Sequence, residues 1–308
     1  MSGLPDVSVV MSIYNGAETL AETLDSILAQ QGLELELIAI DDGSTDDGSR
    51  ILDDYAARDP RVVVIHQPNM GLTRALIAGC RAARAPLIAR QDAGDRSRPG
   101  RLQKQRQLLE SDPRTVLVTG HSQYIAPGGE NLYVVIDPSG DEIRRSLLED
   151  DVQSIRGLTA HGTAMFRRSA YFEAGEYRAQ FRFAQDVDLW IRLAALGRIE
   201  VVPEILYEVH FEPRAISGVN RPEQIEFMRL AIALRDSAPG DAPALLDRAG
   251  SIARIRRVTT RHDEAKALYF IASCLRSARD SHWRKYAWSA IRLNPFHLRA
   301  WVRLLTSL

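Results

Sequence analysis

The sequence predicts an α/β protein with a mostly parallel sheet flanked by helices and followed by an all-helical C-terminal extension. In the first hundred residues, short β-branched runs alternate with segments whose apolar residues recur at helical spacing, as in βαβ units. Polar clusters follow the predicted strands. Beyond Arg221 the apolar residues fit only a series of short amphipathic helices.

The first half of the chain contains four expected strands, at 7–13, 35–40, 62–65 and 85–90. The first is β-branched and apolar, and Leu20, Leu24, Ile27 and Leu28 then repeat at helical spacing. Asn15 with Glu18 three residues later resembles a capping box, which would start that helix. Further helices are expected near 46–58, from the N-M-G-L-T-R-A segment onward, and after the fourth strand.

The second half is less regular. Strands are expected near 115–119, 132–136, 162–167 and 199–209, with a helix at about 185–196. We expect a catalytic domain at 1–215, with halves at about 1–115 and 116–215, and a helical extension at 216–308.

Composition indicates an ordinary soluble protein. The 308 residues are 45% hydrophobic and 26% charged, and the net charge of -1 gives no strong attraction to nucleic acid. Cys80 and Cys274 are far apart and form no C-x-x-C pair, which argues against zinc and disulfides and favours the cytoplasm. The N-terminus does not resemble a signal peptide, and no apolar run approaches the roughly 20 residues of a membrane span.

Four polar clusters follow the predicted strands: Tyr14 with Asn15, Asp41 with Asp42, Asn69, and Asp92 with Asp95. Ligands of parallel sheets bind at the carboxyl ends of the strands, so four clusters in register predict a site. Taken singly, each has a simpler explanation. The aspartates suit an Asp-Gly turn, and Asn69 suits a helix N-cap.

Six segments together resemble family 2 glycosyltransferases. V-S-V-V-M-S-I-Y-N-G, D-D-G-S-T-D, N-M-G-L-T-R-A and D-A-G-D-R-S-R-P-G-R-L-Q-K-Q are similar to the family's donor-binding half. H-G-T-A-M-F-R-R and Q-D-V-D-L-W-I-R-L are similar to its acceptor half. The resemblance covers roughly residues 6–212 and implies a GT-A fold, a nucleotide-diphosphate sugar donor and inversion at the anomeric carbon.

The resemblance also implies a donor site. Asp42 would accept a hydrogen bond from the nucleobase while Tyr14 stacks near its ring. The helix that begins after Asn69 and Gly71 would face the diphosphate, with Arg74 adding a charge, although Ile77 replaces an asparagine common in the family. The full implied set is Ser12, Tyr14, Asn15, Asp42, Asn69, Gly71, Arg74, Gln91, Asp92 and Ala93.

A metal site is implied where the family has a D-x-D motif that holds Mg²⁺ or Mn²⁺. Here Asp92 matches the first acid, but Gly94 stands at the position of the second and Asp95 follows. We expect Asp92 and Asp95 to share the ion, because hard divalent ions prefer carboxylate and phosphate oxygens. The alternative is that arginines do part of the ion's electrostatic work, and the candidates are Arg90, Arg96 and Arg98.

Asp186 is the implied catalytic base. The family has an E-D pair at the start of a helix, and here the pair reads Gln185-Asp186. The simpler interpretation is an aspartate in the first turn that interacts favourably with the helix dipole, and Asp188 is a weaker candidate base.

The expected acceptor or diphosphate pocket comprises His161, Gly162, Gln185 and Trp190. A functional His161 would titrate near neutral pH. Trp190 is better suited to packing in the core than to stacking on a sugar.

These observations predict an inverting glycosyltransferase that uses a nucleotide-diphosphate sugar, with UDP favoured. The acceptor would be a hydroxyl of a glycan or a lipid-linked saccharide in cell-surface polysaccharide synthesis. The alternative is a catalytically impaired binding protein of the same fold. A dinucleotide oxidoreductase is excluded, because no G-x-G-x-x-G follows the first strand.

The end of the chain is basic. From residue 251 onward it has twelve Arg or Lys against three Asp or Glu. This excess suggests peripheral contact with the cytoplasmic membrane face, and the alternative is a helical cap on the catalytic domain.

Overall fold

The structure is a computed structural model that describes residues 3–149, 151–158, 160–213, 221–238, 240–252 and 260–306. Its strands are β1 Val7–Ile13, β2 Leu35–Asp41, β3 Val62–His66, β4 Leu87–Asp92, β5 Arg96–Ser97, β6 Thr115–Ile125, β7 Asn131–Val135, β8 Met165–Arg167 and β9 Arg198–His210. Its helices are α1 Ala17–Leu28, α2 Gly48–Arg58, α3 Leu72–Ala82, α4 Arg101–Ser111, α5 Gly140–Glu149, α6 Arg168–Glu173, α7 Gln185–Leu196, α8 Arg221–Asp236, α9 Ala242–Ile252, α10 Arg261–Ser277, α11 Trp283–Leu293 and α12 Leu298–Leu305.

One sheet organises the molecule, in the strand order β3-β2-β1-β4-β8-β6-β9-β5, with β7 paired to β6. Strands β1 to β4 are mutually parallel, which confirms the predicted βαβ arrangement, and β8 enters antiparallel between β4 and β6. All seven residues of β2 are buried, as expected for an interior parallel strand covered on both faces.

Helices cover both faces of the sheet, which gives two apolar layers. On one face Leu20, Leu24 and Ile27 of α1 pack with Met11 of β1. On the other face α3 and α7 pack, with Trp190 at the centre of that layer. Every one of these side chains is at most 1% exposed, so both layers are closed to water and hold the strand ends rigidly.

Two local predictions were wrong. Asn15 and Glu18 form no capping box: the N-cap of α1 is Gly16, without a side-chain bond, and Asn15 lies at φ 54° with its Oδ1 accepting from Thr45 N–H at 2.7 Å. The expected strand at 162–167 begins with a single 3₁₀ turn at His161–Thr163, and only Met165–Arg167 is extended.

The helical extension has two parts. Helices α8 and α9 contribute Phe227, Leu230 and Ala249 to the main core, so they belong structurally to the sheet domain. Helices α10 to α12 form a separate core with the β6–β7 hairpin, where Trp283 and Tyr286 lie against the hairpin residues. The predicted boundary at 215/216 lies outside the described residues.

Cys80 is buried and Cys274 is half-buried, and both are free thiols, as the absence of a disulfide pattern predicts. Within the described ranges, we find no helix that combines the length and the hydropathy needed to cross a bilayer.

Candidate active site

The predicted polar clusters meet at the carboxyl edge of the parallel strands. Ser12 of β1 pairs in register with Asp92 of β4, and Ile13 pairs with Asp41 of β2. The Asp42 N–H donates to the Ile13 carbonyl at 2.9 Å, which continues this alignment past the strand ends. Ser12 is half-buried between the two acidic strand ends, so the predicted convergence of the clusters is confirmed.

Asp42 organises the loop that leads into α3. Its Oδ1 accepts from Gln67 Nε2 at 2.6 Å and from Met70 N–H at 2.9 Å, and its Oδ2 accepts from Gly71 N–H at 2.8 Å. The residue is only 1% exposed. The carboxylate therefore fixes the loop at the edge of the site, and its contact with a nucleobase stays a prediction.

Four predicted donor residues are open to solvent on this edge: Tyr14, Asn15, Asn69 and Arg74. Asn69 does not cap α3, because the N-cap is Gly71 and carries no side-chain bond. Gly71 has φ 87°, in the region that favours glycine, and it turns the chain so that α3 begins at the strand-end edge. Exposed side chains beside a helix N-terminus are suited to an anionic ligand.

Asp92 is the open carboxylate of the site. Its side chain is 34% exposed, and its Oδ1 accepts from Arg90 Nη2 at 2.7 Å. Arg90 itself is fully buried and also donates to the carbonyls of Val10 and Gln91. A buried guanidinium with fixed backbone partners thus holds Asp92 in one orientation while leaving its other oxygen for a ligand.

Asp95, by contrast, is closed off. It is 8% exposed, and its Oδ1 accepts from His210 N–H at 2.9 Å. Burial and then the nearby charge of Asp92 raise the pKa of Asp95 well above its ordinary value. This environment disfavours the charged form, the bond from His210 holds the carboxyl against β9, and metal ligation by Asp95 stays untested.

Gln91 and Ala93 were expected to touch the donor, and their side chains do not face the site. Gln91 is fully buried and its Nε2 donates to the Asp95 carbonyl and to the Tyr207 hydroxyl. Ala93 packs against the apolar layer under α1. Since both side chains point inward, their contribution is to shape the loop between Asp92 and Asp95.

The three arginines of the alternative each have a carboxylate partner, and the alternative stays untested. Arg90 forms an ion pair with Asp92, Arg96 forms one with Glu22, and Arg98 forms one with Glu208 at 3.0 Å. Arg90 is fully buried beneath Asp92, whereas Arg96 and Arg98 are partly exposed in surface ion pairs, which contribute little energy.

The residues fit a divalent ion that is held largely by the donor. In the described part of the chain, no three His, Cys, Asp or Glu side chains lie together as a ligand set. Mg²⁺ is commonly held by one or two carboxylates plus substrate phosphates, and Asp92 supplies such a carboxylate. Gly94 has φ 96° and donates its N–H to Thr23 Oγ1 at 3.1 Å, so the turn after Asp92 is built on a glycine conformation.

Asp186 lies in the first turn of α7, two residues after the N-cap Ala184, which has φ 51°. Its Oδ1 accepts from Val187 N–H at 2.9 Å. Part of the side chain is accessible, yet the surrounding protein displaces enough water that burial raises its pKa, and the charge of Asp92 adds to this. A carboxylate with a raised pKa is a stronger base than an ordinary aspartate, as the predicted role requires.

Asp188 has a structural role. It is 2% exposed and forms ion pairs with Arg178 at 2.8 Å and Arg192 at 2.6 Å. We expect Asp188→Ala to destabilise the protein by about 3 kcal/mol, because removing one member of a buried ion pair leaves the others unpaired. Denaturant unfolding measures this loss; an unchanged midpoint would show that the ion pairs contribute nothing to stability.

The predicted acceptor or diphosphate pocket needs correction. His161 is buried, its Nε2 lies 2.8 Å from the Tyr177 hydroxyl and 3.3 Å from Arg90 Nε, and burial lowers its pKa well below the ordinary value. It therefore stays neutral and does not titrate near pH 7. Trp190 is 1% exposed and packs edge-on against His161, so it belongs to the core and cannot reach an acceptor.

The remaining pocket residues are also interior. Gly162 is buried, and a Cβ there would come within 2.0 Å of the Tyr207 hydroxyl. Gln185 is 7% exposed at the start of α7. Both set the position of site elements rather than lining an open pocket.

Sequence reasoning missed Tyr207, which is fully buried on β9. Its hydroxyl accepts from the Asp92 N–H at 2.9 Å, so it ties the site loop to the far side of the sheet. Arg101 stacks over the same ring at 4.8 Å from its centroid and donates to the Arg90 and Gly162 carbonyls. No local pattern marks these residues, because their partners lie far away in the sequence.

Comparison with known proteins points to one family. Residues 8–174 match the model of glycosyl transferase family 2. The putative glycosyltransferase EpsE of Bacillus subtilis is 37% identical over 68% of this chain and 74% of its own length. The amylovoran biosynthesis glycosyltransferase AmsE of Erwinia amylovora is 27% identical over 75% of this chain and 87% of its own length.

A solved structure of S. aureus TarS 1-349 in complex with UDP has the same fold. It has a TM-score of 0.56 and 15% identity, and the match covers 94% of this chain and 88% of that one. The mostly parallel sheet between helical layers and the helices that follow it are the expected GT-A architecture with a helical extension. The family match, the identity to EpsE and the fold agree, and the chain therefore belongs to glycosyl transferase family 2 and is a glycosyltransferase.

Proposed function

We propose that the protein is an inverting transferase that moves a sugar from a UDP-sugar to a hydroxyl of a glycan or lipid-linked saccharide during cell-surface polysaccharide synthesis. One observation carries the proposal. Asp186 begins a helix close enough to the open carboxylate of Asp92 that the charge of Asp92 raises its pKa. A candidate base and a donor-side carboxylate thus lie close enough to interact, as a single displacement at the anomeric carbon requires.

The chain's own residues supply three parts of the reaction. The exposed edge around Tyr14 and the α3 N-terminus binds the nucleotide. Asp92, held by Arg90, orients the diphosphate end, and a divalent ion bound there with the phosphates would stabilise the charge of the departing nucleotide. Asp186 takes the proton from the acceptor hydroxyl as the new bond forms.

The choice of UDP and of a polysaccharide acceptor draws on related proteins. TarS, which shares the fold, has been solved in complexes with UDP and with UDP-GlcNAc. Relatives include an amylovoran biosynthesis glycosyltransferase and a succinoglycan biosynthesis protein of Rhizobium meliloti. These names support the proposed substrate classes for this chain.

Thermal stabilisation by nucleotide sugars tests the donor. A ligand at a hundred times its Kd adds about 2.7 kcal/mol to the stability of the native state, so we expect a UDP-sugar to raise Tm measurably with Mg²⁺ present. Tyr14→Ala is the matched control: the side chain is exposed, so the variant should keep its own Tm but lose part of the shift. Stabilisation by another nucleotide alone would overturn UDP.

Donor hydrolysis separates the enzyme from the alternative, a binding protein of the same fold. Slow release of free UDP by purified protein supports catalysis, since water can replace a missing acceptor. Tight binding without hydrolysis or transfer would favour the binding protein.

For its location, the proposal is the cytoplasm, with peripheral contact at the membrane. It is supported by the free thiols and by the basic C-terminal helices.

A further inference from the structure

Helix α12 has an apolar side that nothing in the described structure covers. Leu298, Val302 and Leu305 are 74%, 58% and 63% exposed, and their spacing of four and three residues places them on one stripe. The opposite side of the helix is anchored, with Ala300 fully buried. Phe296, just before the helix, is 88% exposed. The helix is therefore held firmly while it presents apolar side chains to the outside.

A cationic recess lies beside this stripe. It is an open depression lined by four residues of α11: Lys285, Trp288, Ser289 and Arg292. Trp288 is 48% exposed and packs edge-on against Trp301 of α12, with ring centroids 5.7 Å apart, which joins the recess to the stripe. Two cations and a hydroxyl around an aromatic wall are suited to an anionic, phosphate-bearing group.

The charges around this surface are strongly unbalanced. Residues 260–306 contain nine Arg or Lys and three Asp or Glu, and no acid follows Asp280. Asp263 is used in the capping box of α10, and Asp280 is bonded to His282. Glu130 lies 3.9 Å from Lys285 and already accepts a hydrogen bond from the Tyr286 hydroxyl. The net field is therefore positive.

We propose that α11 and α12 form a docking face for an anionic phospholipid membrane. The docking face consists of Lys285, Trp288, Arg292, Phe296, Leu298, Arg299, Val302 and Leu305. Its apolar stripe enters the boundary between headgroups and acyl chains, as in interfacial amphipathic helices. Its cations contact lipid phosphates, and Trp288 lies at the interface, where tryptophan is favoured. The proposal identifies the surface that makes the proposed membrane contact, and it does not depend on the transfer reaction.

A second copy of the chain is a poorer occupant. A twofold interface pairs the same patch with itself, which would bring Arg292 and Arg299 of one copy toward those of the other. Both arginines are exposed. Like charges across an interface are unfavourable, whereas an anionic lipid surface complements them.

Vesicle sedimentation with the full chain tests the docking face. We expect binding to phosphatidylcholine vesicles that contain phosphatidylglycerol and little binding to phosphatidylcholine alone. The double variant Arg292→Gln/Arg299→Gln should weaken binding roughly 30-fold, because each cation near an anionic surface contributes about 1 kcal/mol to binding. Val302→Ser/Leu305→Ser should weaken it by roughly tenfold or more.

Matched controls lie elsewhere on the surface. Arg58→Gln removes an exposed arginine from α2, and Ile136→Ser removes a side chain that is 70% exposed beside β7. Both should bind as wild type does. Equal binding by all variants, equal binding to neutral vesicles, or a dimer that Val302→Ser/Leu305→Ser disperses would overturn the proposal. Sedimentation requires no turnover, so its failure would leave the proposed reaction untouched.

Discussion

Asp186→Asn should lower turnover by at least about 10²-fold while leaving the fold and donor affinity nearly unchanged. The amide has the same shape as the carboxyl, and its oxygen can still accept from Val187 N–H, so α7 should begin as before. What is lost is the proton acceptor for the attacking hydroxyl. Transfer rate, Tm and donor-induced stabilisation measured on one preparation decide the point, and transfer near the wild-type rate would remove Asp186 from the mechanism.

The pH profile gives an independent check on the same residue. The base works as a carboxylate, so turnover falls as pH drops through the pKa of Asp186. Burial, and then the charge of Asp92, raise that pKa above 3.8. The acid limb of the wild-type profile should therefore lie above the pH range of an ordinary aspartate, and it should disappear from the residual activity of Asp186→Asn.

Removal of the divalent ion should have an effect of similar or greater size. We expect wild-type protein treated exhaustively with EDTA to lose transfer on the order of 10³-fold and to recover it with Mg²⁺ or Mn²⁺, because such an ion stabilises leaving-group charge by several kcal/mol. With Gly94 in place of a second acid, binding should be weak and easily reversed. Full activity in EDTA would contradict the metal.

Asp92→Asn should behave like the metal-free enzyme at every ion concentration. Asparagine keeps an oxygen for Arg90 Nη2, so the buried guanidinium stays paired and the fold is preserved, which Asp92→Ala would not guarantee. Asp95→Asn is the matched control. Its amide oxygen still accepts from His210 N–H, and burial, which raises the pKa of Asp95, already disfavours its charge, so activity should largely survive. A loss equal to that of Asp92→Asn would assign Asp95 to the metal.

Local patterns sufficed for the strands and helices that carry the site. The β-branched runs of β1 to β3 and the helical spacing of α7 predicted their positions closely, because each element's pattern depends on one buried face. The strand-end clusters then followed from the parallel topology. Asp42 and Asp92 belong to these clusters, whereas Asp186 was identified only from the resemblance to family 2 glycosyltransferases.

The interior polar network was not predictable from local sequence. Arg90, Arg101 and Gln91 are polar and would ordinarily be placed outside, yet each is fully buried because backbone carbonyls and side chains from distant strands satisfy it. Tyr207 meets the Asp92 N–H across 115 positions of the chain. Such pairings are fixed by the register of the sheet, which no short segment encodes.

The glycine turn after Asp92 limits how the missing acid of the D-x-D motif could be restored. A side chain at position 94 would find room, since the nearest heavy atom to a Cβ there is 3.4 Å away. The backbone is the obstacle, because φ 96° costs an L-residue about 1–2 kcal/mol. The substitution Gly94→Asp, intended to tighten ion binding, would thus strain the loop that presents Asp92. Ligand number and loop geometry compete at this one position, so a tighter site would call for redesign of the whole turn.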